Sequence, residues 1–331
     1  MKIKYAIETH NVTRKFGNLS AVNRVNVKIK DGELFGLIGP NGAGKTTFIH
    51  MLCTILSPTY GTAKVWGIDV KKNPDEIRKL IGIVFQDPTL DSRLTGRENL
   101  DFHGMIYGMG REHRERRIGE VLKLVELDVR ADSLVDTYSG GMRRRLEVAR
   151  GLMHNPKILF LDEPTLGLDP QTRRHVWEYI RSLKEKNITI VLTTHYMDEA
   201  DYLCERVGIM DNGRILVIGE PEKLKDKLEG DAVSLEVTQP ERYASSLRKT
   251  AYIHKVKVVG ETLHLTVNRG ERCIPQLIKV VERRGGKVKS VGLRGPTLED
   301  VFMHYTGRSI REEQTGTLEE NRLRMRAWTR R

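Results

Sequence analysis

The chain has 331 residues, 39% hydrophobic and 30% charged, with a formal net charge of +12 and a mean hydropathy of −0.43. That length supports two domains with a sizeable core. No stretch reaches the ~18 to 20 apolar residues of a membrane-spanning helix, and the opening MKIKYAIETH lacks an apolar signal core, so no export of the chain is expected. The positive charge calls for an anionic partner, and composition alone does not choose between a membrane surface and a nucleic acid.

In chain order, residues 5–12 and 21–29 alternate as strands do, with Val25, Val27 and Ile29 on one face. Phe16, between them, is a ring that either packs locally or stacks on an adenine base. The apolar run 34–38 reads as a buried strand. It leads into Gly39-Pro40-Asn41-Gly42-Ala43-Gly44-Lys45-Thr46-Thr47, which contains G-x-x-x-x-G-K-[ST]. Residues 46–56 then carry apolar side chains at helical spacing. A glycine-rich curl between strand and helix turns backbone N–H groups toward phosphate oxygens, and the helix N-terminus adds its positive end. In such a loop Lys45 reaches the β- and γ-phosphates and the Thr46 hydroxyl holds Mg²⁺.

Residues 81–85 read as a buried strand ending at Gln86, a polar amide where α/β sheets bind ligands. Residues 94–127 are mainly helical, and the charge-dense run 111–117 reads as a solvated helix face. Ser139 is a good N-cap for a helix over 143–153, and Gly140 and Gly141 admit a close neighbour at its start. The apolar strand 158–161 ends in Asp162-Glu163. Two adjacent acids at a buried strand end are costly without a role, and the natural division gives Asp162 to Mg²⁺ and Glu163 to polarising a water. After a turn at 166–170 and a helix over 172–186, the strand 188–193 ends in Thr194-His195. Cys53, Cys204 and Cys273 lie far apart without C-x-x-C spacing and read as core thiols in a reducing compartment.

Phosphate loop, Gln86, Ser139-Gly140-Gly141, Asp162-Glu163 and His195 in this order resemble the nucleotide-binding subunit of ABC transporters, over about residues 3–230. The resemblance implies an α/β P-loop NTPase with a RecA-like core, an antiparallel β subdomain and a helical signature subdomain over about 90–153, in a domain of residues 1–230. It gives Phe16 to adenine, and residues Gly39 through Thr47 to the phosphates. Thr46, Gln86 and Asp162 go to Mg²⁺. Glu163 becomes the general base, His195 the switch at the γ-phosphate, Gln86 the link to the membrane partner, and Asp169 a contact across a dimer. Ser139, Gly140 and Gly141 would meet the ATP held by a second copy. The family's usual LSGGQ is YSGGM here, which keeps the anion-binding helix end and loses one amide.

Residues 231–310 read as βαββαβ, a small ferredoxin-like α+β accessory domain. Pro296-Thr297-Leu298-Glu299-Asp300-Val301-Phe302, YSGGMRRRLE and Thr194 through Ala200 resemble the daunorubicin-resistance type of ABC ATPase. Members of that type serve ABC-2-type permeases. The implied function is the ATP-hydrolysing subunit of an exporter of drugs or hydrophobic compounds. It would be an ATP-dependent homodimer, peripheral on the cytoplasmic side of the membrane. An ABC-type ATPase acting on nucleic acid or the ribosome suits the charge. A single cassette and the lack of a long coiled-coil insertion between Gln86 and Ser139 weigh against it. Residues 311–331 form a basic tail; its last eleven residues hold five Arg, no acid and Trp328, a pattern suited either to a disordered tail or to anionic lipid.

Overall fold

The computed structural model describes residues 5–307 apart from 185, 186, 229, 249, 268 and 269; the basic tail, with its expected lipid contact, lies outside the described residues. Packing contacts divide the described chain into a first unit ending at Pro221 and a second from Glu222.

The first unit is built on a six-stranded sheet ordered Arg214–Gly219, Arg206–Asp211, Leu34–Ile38, Thr189–Thr194, Ile158–Asp162 and Ile81–Val84. Five strands run parallel, and Arg214–Gly219 closes one edge antiparallel. Parallel strands covered on both faces need continuous apolar runs, and every residue of Leu34–Ile38 and Ile158–Asp162 is buried. Because the five strands point one way, the residues after Ile38, Val84, Asp162 and Thr194 all leave the sheet at the same end. Register sets Ile38 beside Thr194 and Asp162 beside Thr193.

A second, antiparallel sheet pairs Tyr5–Phe16 with Leu19–Val25, Lys28–Lys30 and Tyr60–Val65. The single strand expected over 21–29 is two, because Arg24 takes a positive φ and the Asn26 amide bonds to the Asn11 side chain and the Arg24 carbonyl. The helix Lys45–Leu52 lies between the two sheets. Its Phe48, Ile49, Met51 and Leu52 share one core with Ile7, Val22 and Val65 on one side and Phe35, Phe160 and Val191 on the other. Each such side chain contributes ~1.5–3 kcal/mol by leaving water, so the phosphate loop is anchored through its helix.

The helices Gly96–Ile106, Arg111–Leu124 and Gly140–Gly151 pack together. Thr95 and Glu98 form a reciprocal capping box that starts the first. The run 111–117 is not wholly a solvated face. Arg111 is exposed and pairs with Glu115, but Arg114 and Arg117 are only 14% and 16% exposed. Arg114 binds Asp101 at 2.5 Å and the Met109 carbonyl, and Arg117 the carbonyls of Leu152 and Met153. Helical spacing explains it: residues 114, 117, 118 and 121 share the stripe that carries buried Ile118 and Val121.

In the second unit Asp231–Val237, Ile253–Val259, Thr262–Val267 and Val288–Arg294 form an antiparallel sheet. In order of appearance its strands lie 2-3-1-4, the ferredoxin-like arrangement. Helices Glu241–Leu247 and Gly270–Glu282 supply Tyr243, Leu247, Leu277 and Val281 to a core with Val233, Leu235 and Leu263. Thr297 and Asp300 cap the last helix, Leu298–Thr306, whose Leu298, Val301 and Phe302 are buried. The PTLEDVF segment is thus a capped amphipathic helix.

His103, in Gly96–Ile106, is pushed down to about 4 chiefly by burial, with Arg150 and His154 adding to the shift, and its Nε2 has no hydrogen-bond partner. A base whose folded value lies below its unfolded value of ~6.5 binds fewer protons in the folded state between the two. Stability therefore falls as pH drops through that window, by up to about 3 kcal/mol from this group. Denaturant unfolding of His103→Phe should show a shallower loss than wild type between about pH 6.5 and pH 4.

Candidate functional site

The phosphate loop leaves the sheet at Gly39 and enters its helix at Lys45. Gly44 has φ +102, and a Cβ there would collide with the Ala21 carbonyl of the antiparallel sheet. At Gly39 a Cβ would meet the Met210 carbonyl. Glycine is demanded at both by backbone approach as well as by turn geometry. Phe16 lies at the hairpin end of Tyr5–Phe16, opposite Leu19. It is 44% exposed, with the Arg14 guanidinium 4.7 Å from its ring centre, so part of the ring stays open.

Lys45 is buried, and its Nζ donates to the carbonyls of Gly39 (2.7 Å) and Pro40 (3.0 Å). It also pairs with Glu163 Oε1 at 3.2 Å. The other Glu163 oxygen lies 2.5 Å from His195 Nδ1. Burial pushes the Glu163 carboxyl up, but the His195 hydrogen bond and the Lys45 charge outweigh it and hold the group below its ordinary value. An ionised carboxylate only accepts, so His195 carries its proton on Nδ1. Burial lowers Lys45, against which Glu163 and then Asp162 push back. Next to Glu163 in the chain, Asp162 Oδ1 accepts from the Thr46 hydroxyl at 3.2 Å and from the Thr193 hydroxyl. A hydroxyl and a carboxylate side by side are hard oxygen donors suited to Mg²⁺, which keeps waters and substrate oxygens as its remaining ligands.

Glu163 itself has φ +49, a left-handed conformation that costs a non-glycine residue of order 1–3 kcal/mol. Its N–H is held by the Thr193 carbonyl and hydroxyl.

Gln86, Asp169 and the Ser139-Gly140-Gly141 motif stand outside this cluster. The strand over 81–85 ends at Val84, and Gln86 is exposed beyond it. Asp169 caps the helix Pro170–Lys184, accepting from the N–H groups of Gln171 (3.1 Å) and Thr172 (3.0 Å). Ser139 caps Gly140–Gly151 by accepting from Met142 N–H. Gly141 is packed so closely on Thr172 that a Cβ would strike it. Ser139 and Gly141 border a cleft of about 430 Å³ with Glu126, Arg145, His175 and Tyr179. No phosphate-loop residue lines it.

Sequence reasoning missed Thr193, Arg144, Glu147 and Glu199. Glu199 is fully buried; the Thr165 hydroxyl (2.7 Å) and Trp177 indole N–H (2.9 Å) donate to Oε1, while Oε2 has no partner. A carboxylate in the first turn of the helix that follows a strand-end histidine reads as an ordinary helix acid, so only its burial singles it out. That burial drives its carboxyl above the ordinary range, with Glu163 adding to the rise.

Residues 22–166 match the family described as ABC transporter, and residues 219–306 the ATP-binding protein DrrA1-3-like C-terminal domain. The linearmycin resistance ATP-binding protein LnrL of Bacillus subtilis (strain 168) is 35% identical over 311 residues, 92% of this chain and all of that protein. The Nod factor export ATP-binding protein I of Sinorhizobium fredii is 39% identical over 94% of this chain and 89% of its own length. Among solved structures, the dimeric post-hydrolysis state of the ATP-binding cassette MJ0796 bound to ADP and Pi is similar with a TM-score of 0.58 and 31% identity. That likeness covers 65% of this chain and 98% of that one.

An acid raised above its unfolded value stabilises the fold only below that value, and the contribution is lost as pH rises through the folded one. Glu199→Gln keeps an acceptor for Thr165 and Trp177 without the charge. It should melt no lower than wild type at about pH 8, with the margin narrowing toward about pH 5. Thermal melts at the two values check this, and a lower melting point at both contradicts it.

Proposed function

The chain belongs to the ATP-binding subunits of ABC transporters, in their daunorubicin-resistance type, and from that membership we propose that two copies close on ATP to drive a separate ABC-2-type permease. It is an ATPase, and the relatives reported above are resistance and export proteins, which leaves the nucleic-acid reading without support. The names of these relatives also support export of a drug or another hydrophobic compound, and in this reading the subunit sits on the cytoplasmic side of the membrane. Among the described residues no helix is long and apolar enough to cross a membrane. A docking surface for the permease is supported by Phe102, Met105 and Ile106 on Gly96–Ile106 and by adjoining Tyr107, all exposed.

The observation that carries the reading is the buried Lys45–Glu163–His195 cluster at the end of the parallel sheet. In this mechanism the phosphate oxygens of ATP compete with Glu163 for Lys45. As Lys45 turns to phosphate, one of the two groups holding the carboxyl down is withdrawn, and Glu163 becomes a better acceptor for the proton of the attacking water. His195, tied to Glu163 through Nδ1, keeps the carboxylate oriented. Thr46 and Asp162 would hold Mg²⁺, which supplies charge stabilisation at the phosphates. Gln86 would join that metal's surroundings. The capped helix end at Ser139, Gly140 and Gly141 presents N–H groups suited to an anion. Its cleft lies apart from the chain's own phosphate loop, which supports its use by the partner copy's ATP. Asp169 would support the same interface through the turn it caps, and Phe16 would stack on adenine.

Removing a general base costs ~10²–10⁴-fold, or about 3 to 5.5 kcal/mol at the transition state. Glu163→Gln should bind ATP, lose turnover by that factor and accumulate as a dimer in size-exclusion chromatography; near-normal turnover contradicts the assignment. Mixing Ser139→Arg with Lys45→Ala subunits, each inactive alone, should restore one working composite site per heterodimer. Complete inactivity of the mixture would argue against sharing of the site between copies.

A further inference from the structure

Three arginines follow Met142 in the helix Gly140–Gly151, and they differ in surroundings. Arg143 and Arg145 reach the surface, whereas Arg144 is buried. Its Nη1 pairs with Glu147 Oε2 at 2.6 Å and donates to the Phe85 carbonyl at 2.6 Å. Its Nε donates to the Pro164 carbonyl at 2.7 Å, and its Nη2 to those of Asp162 (2.9 Å) and Glu163 (3.2 Å). Glu147, also buried, accepts the Thr89 N–H on Oε1 at 3.0 Å. One turn on, Arg150 donates to the Thr89 carbonyl and hydroxyl.

One guanidinium and its carboxylate therefore hold both ends of the segment Phe85–Thr89, which contains Gln86, and three successive carbonyls around Glu163. A buried charge is tolerated when it is paired and its donors are filled, and only the planar five-donor fork of arginine fills these acceptors together. Glu163 needs such bracing because its φ of +49 is unfavourable for a non-glycine residue. The carbonyl before it, its own and the one after it are all gripped by Arg144. The same helix begins at Ser139, the end assigned above to the partner copy's ATP.

The geometry points to Arg144, braced by Glu147, as the positioning residue that aims the Glu163 carboxylate and ties it to the Ser139 helix and the Gln86 segment. This rests on the reading of Glu163 as general base. In consequence, engagement of the Ser139 helix end by the opposite nucleotide is transmitted to the base of the subunit that carries the helix.

The test is steady-state ATP hydrolysis and equilibrium ATP binding by the full-length chain. Arg144→Lys keeps the charge but cannot span the acceptors, and a displacement of the base by about 1 Å costs on the order of 10²-fold. The expected result is a kcat loss of that order with KM and ATP affinity within about twofold of wild type. Glu147→Gln, which keeps its shape, should lose about tenfold and serves in place of Arg144→Lys if that variant does not fold. In a Glu163→Gln background Arg144→Lys should cost nothing more, since it acts through the same group. Wild-type kcat in both variants, ATP affinity falling in step with kcat, or a full additional loss on top of Glu163→Gln would each overturn the proposal. Normal turnover in Glu163→Gln alone would instead remove the base assignment, so the two failures are told apart.

Discussion

The site depends on three parallel strands lying side by side: Leu34–Ile38, Thr189–Thr194 and Ile158–Asp162. Their common direction delivers the phosphate loop, His195 and Glu163 to one end of the sheet, although the loop lies more than a hundred positions before the other two in the chain. Burial on both faces makes the strand ends dry. A dry strand end makes the Lys45–Glu163 pairing strong enough to matter and makes either charge costly alone. The result is a buried ammonium and a buried carboxylate held against each other, and the proposed exchange of Lys45 onto phosphate rests on that pairing.

The surrounding shell keeps this arrangement fixed. Thr193 satisfies both Asp162 and the Glu163 N–H, Arg144 holds the carbonyls on the opposite side, and Glu199 sits fully buried behind them with one oxygen unpartnered. Several of these groups are charged and dehydrated, which a purely structural scaffold would avoid. Their concentration around a residue in a strained backbone conformation is what an active centre requires, because precise aim is worth more there than local stability.

Most of the elements were legible in the sequence. The phosphate loop was legible from its glycines and lysine, the parallel strands from short continuous apolar runs, and Ser139 from its cap chemistry. The βαββαβ order of the second unit followed from alternation and turn spacing. Legibility failed where a charged residue was judged by composition. Arg114 and Arg117 read as surface residues within a basic run, yet helical phase turns them inward onto Asp101 and backbone carbonyls. The strand over 21–29 was broken by a side-chain amide that competes with the ladder, a local effect that alternation does not register.

By itself, the sequence singled out the side chains to which the chemistry is assigned in the proposed function, because Lys45, Thr46, Asp162, Glu163 and His195 occupy strand ends and a glycine loop that local patterning reveals. Tertiary structure alone decided how they are held. Arg144 and Glu147 read as two polar residues on an amphipathic helix, and Glu199 as another helix acid. Their partners are backbone carbonyls and hydroxyls brought near only by sheet order and helix packing. A carbonyl has the same chemistry at every position, so the residue that will meet it cannot be read from the chain. Only the fold supplies that information.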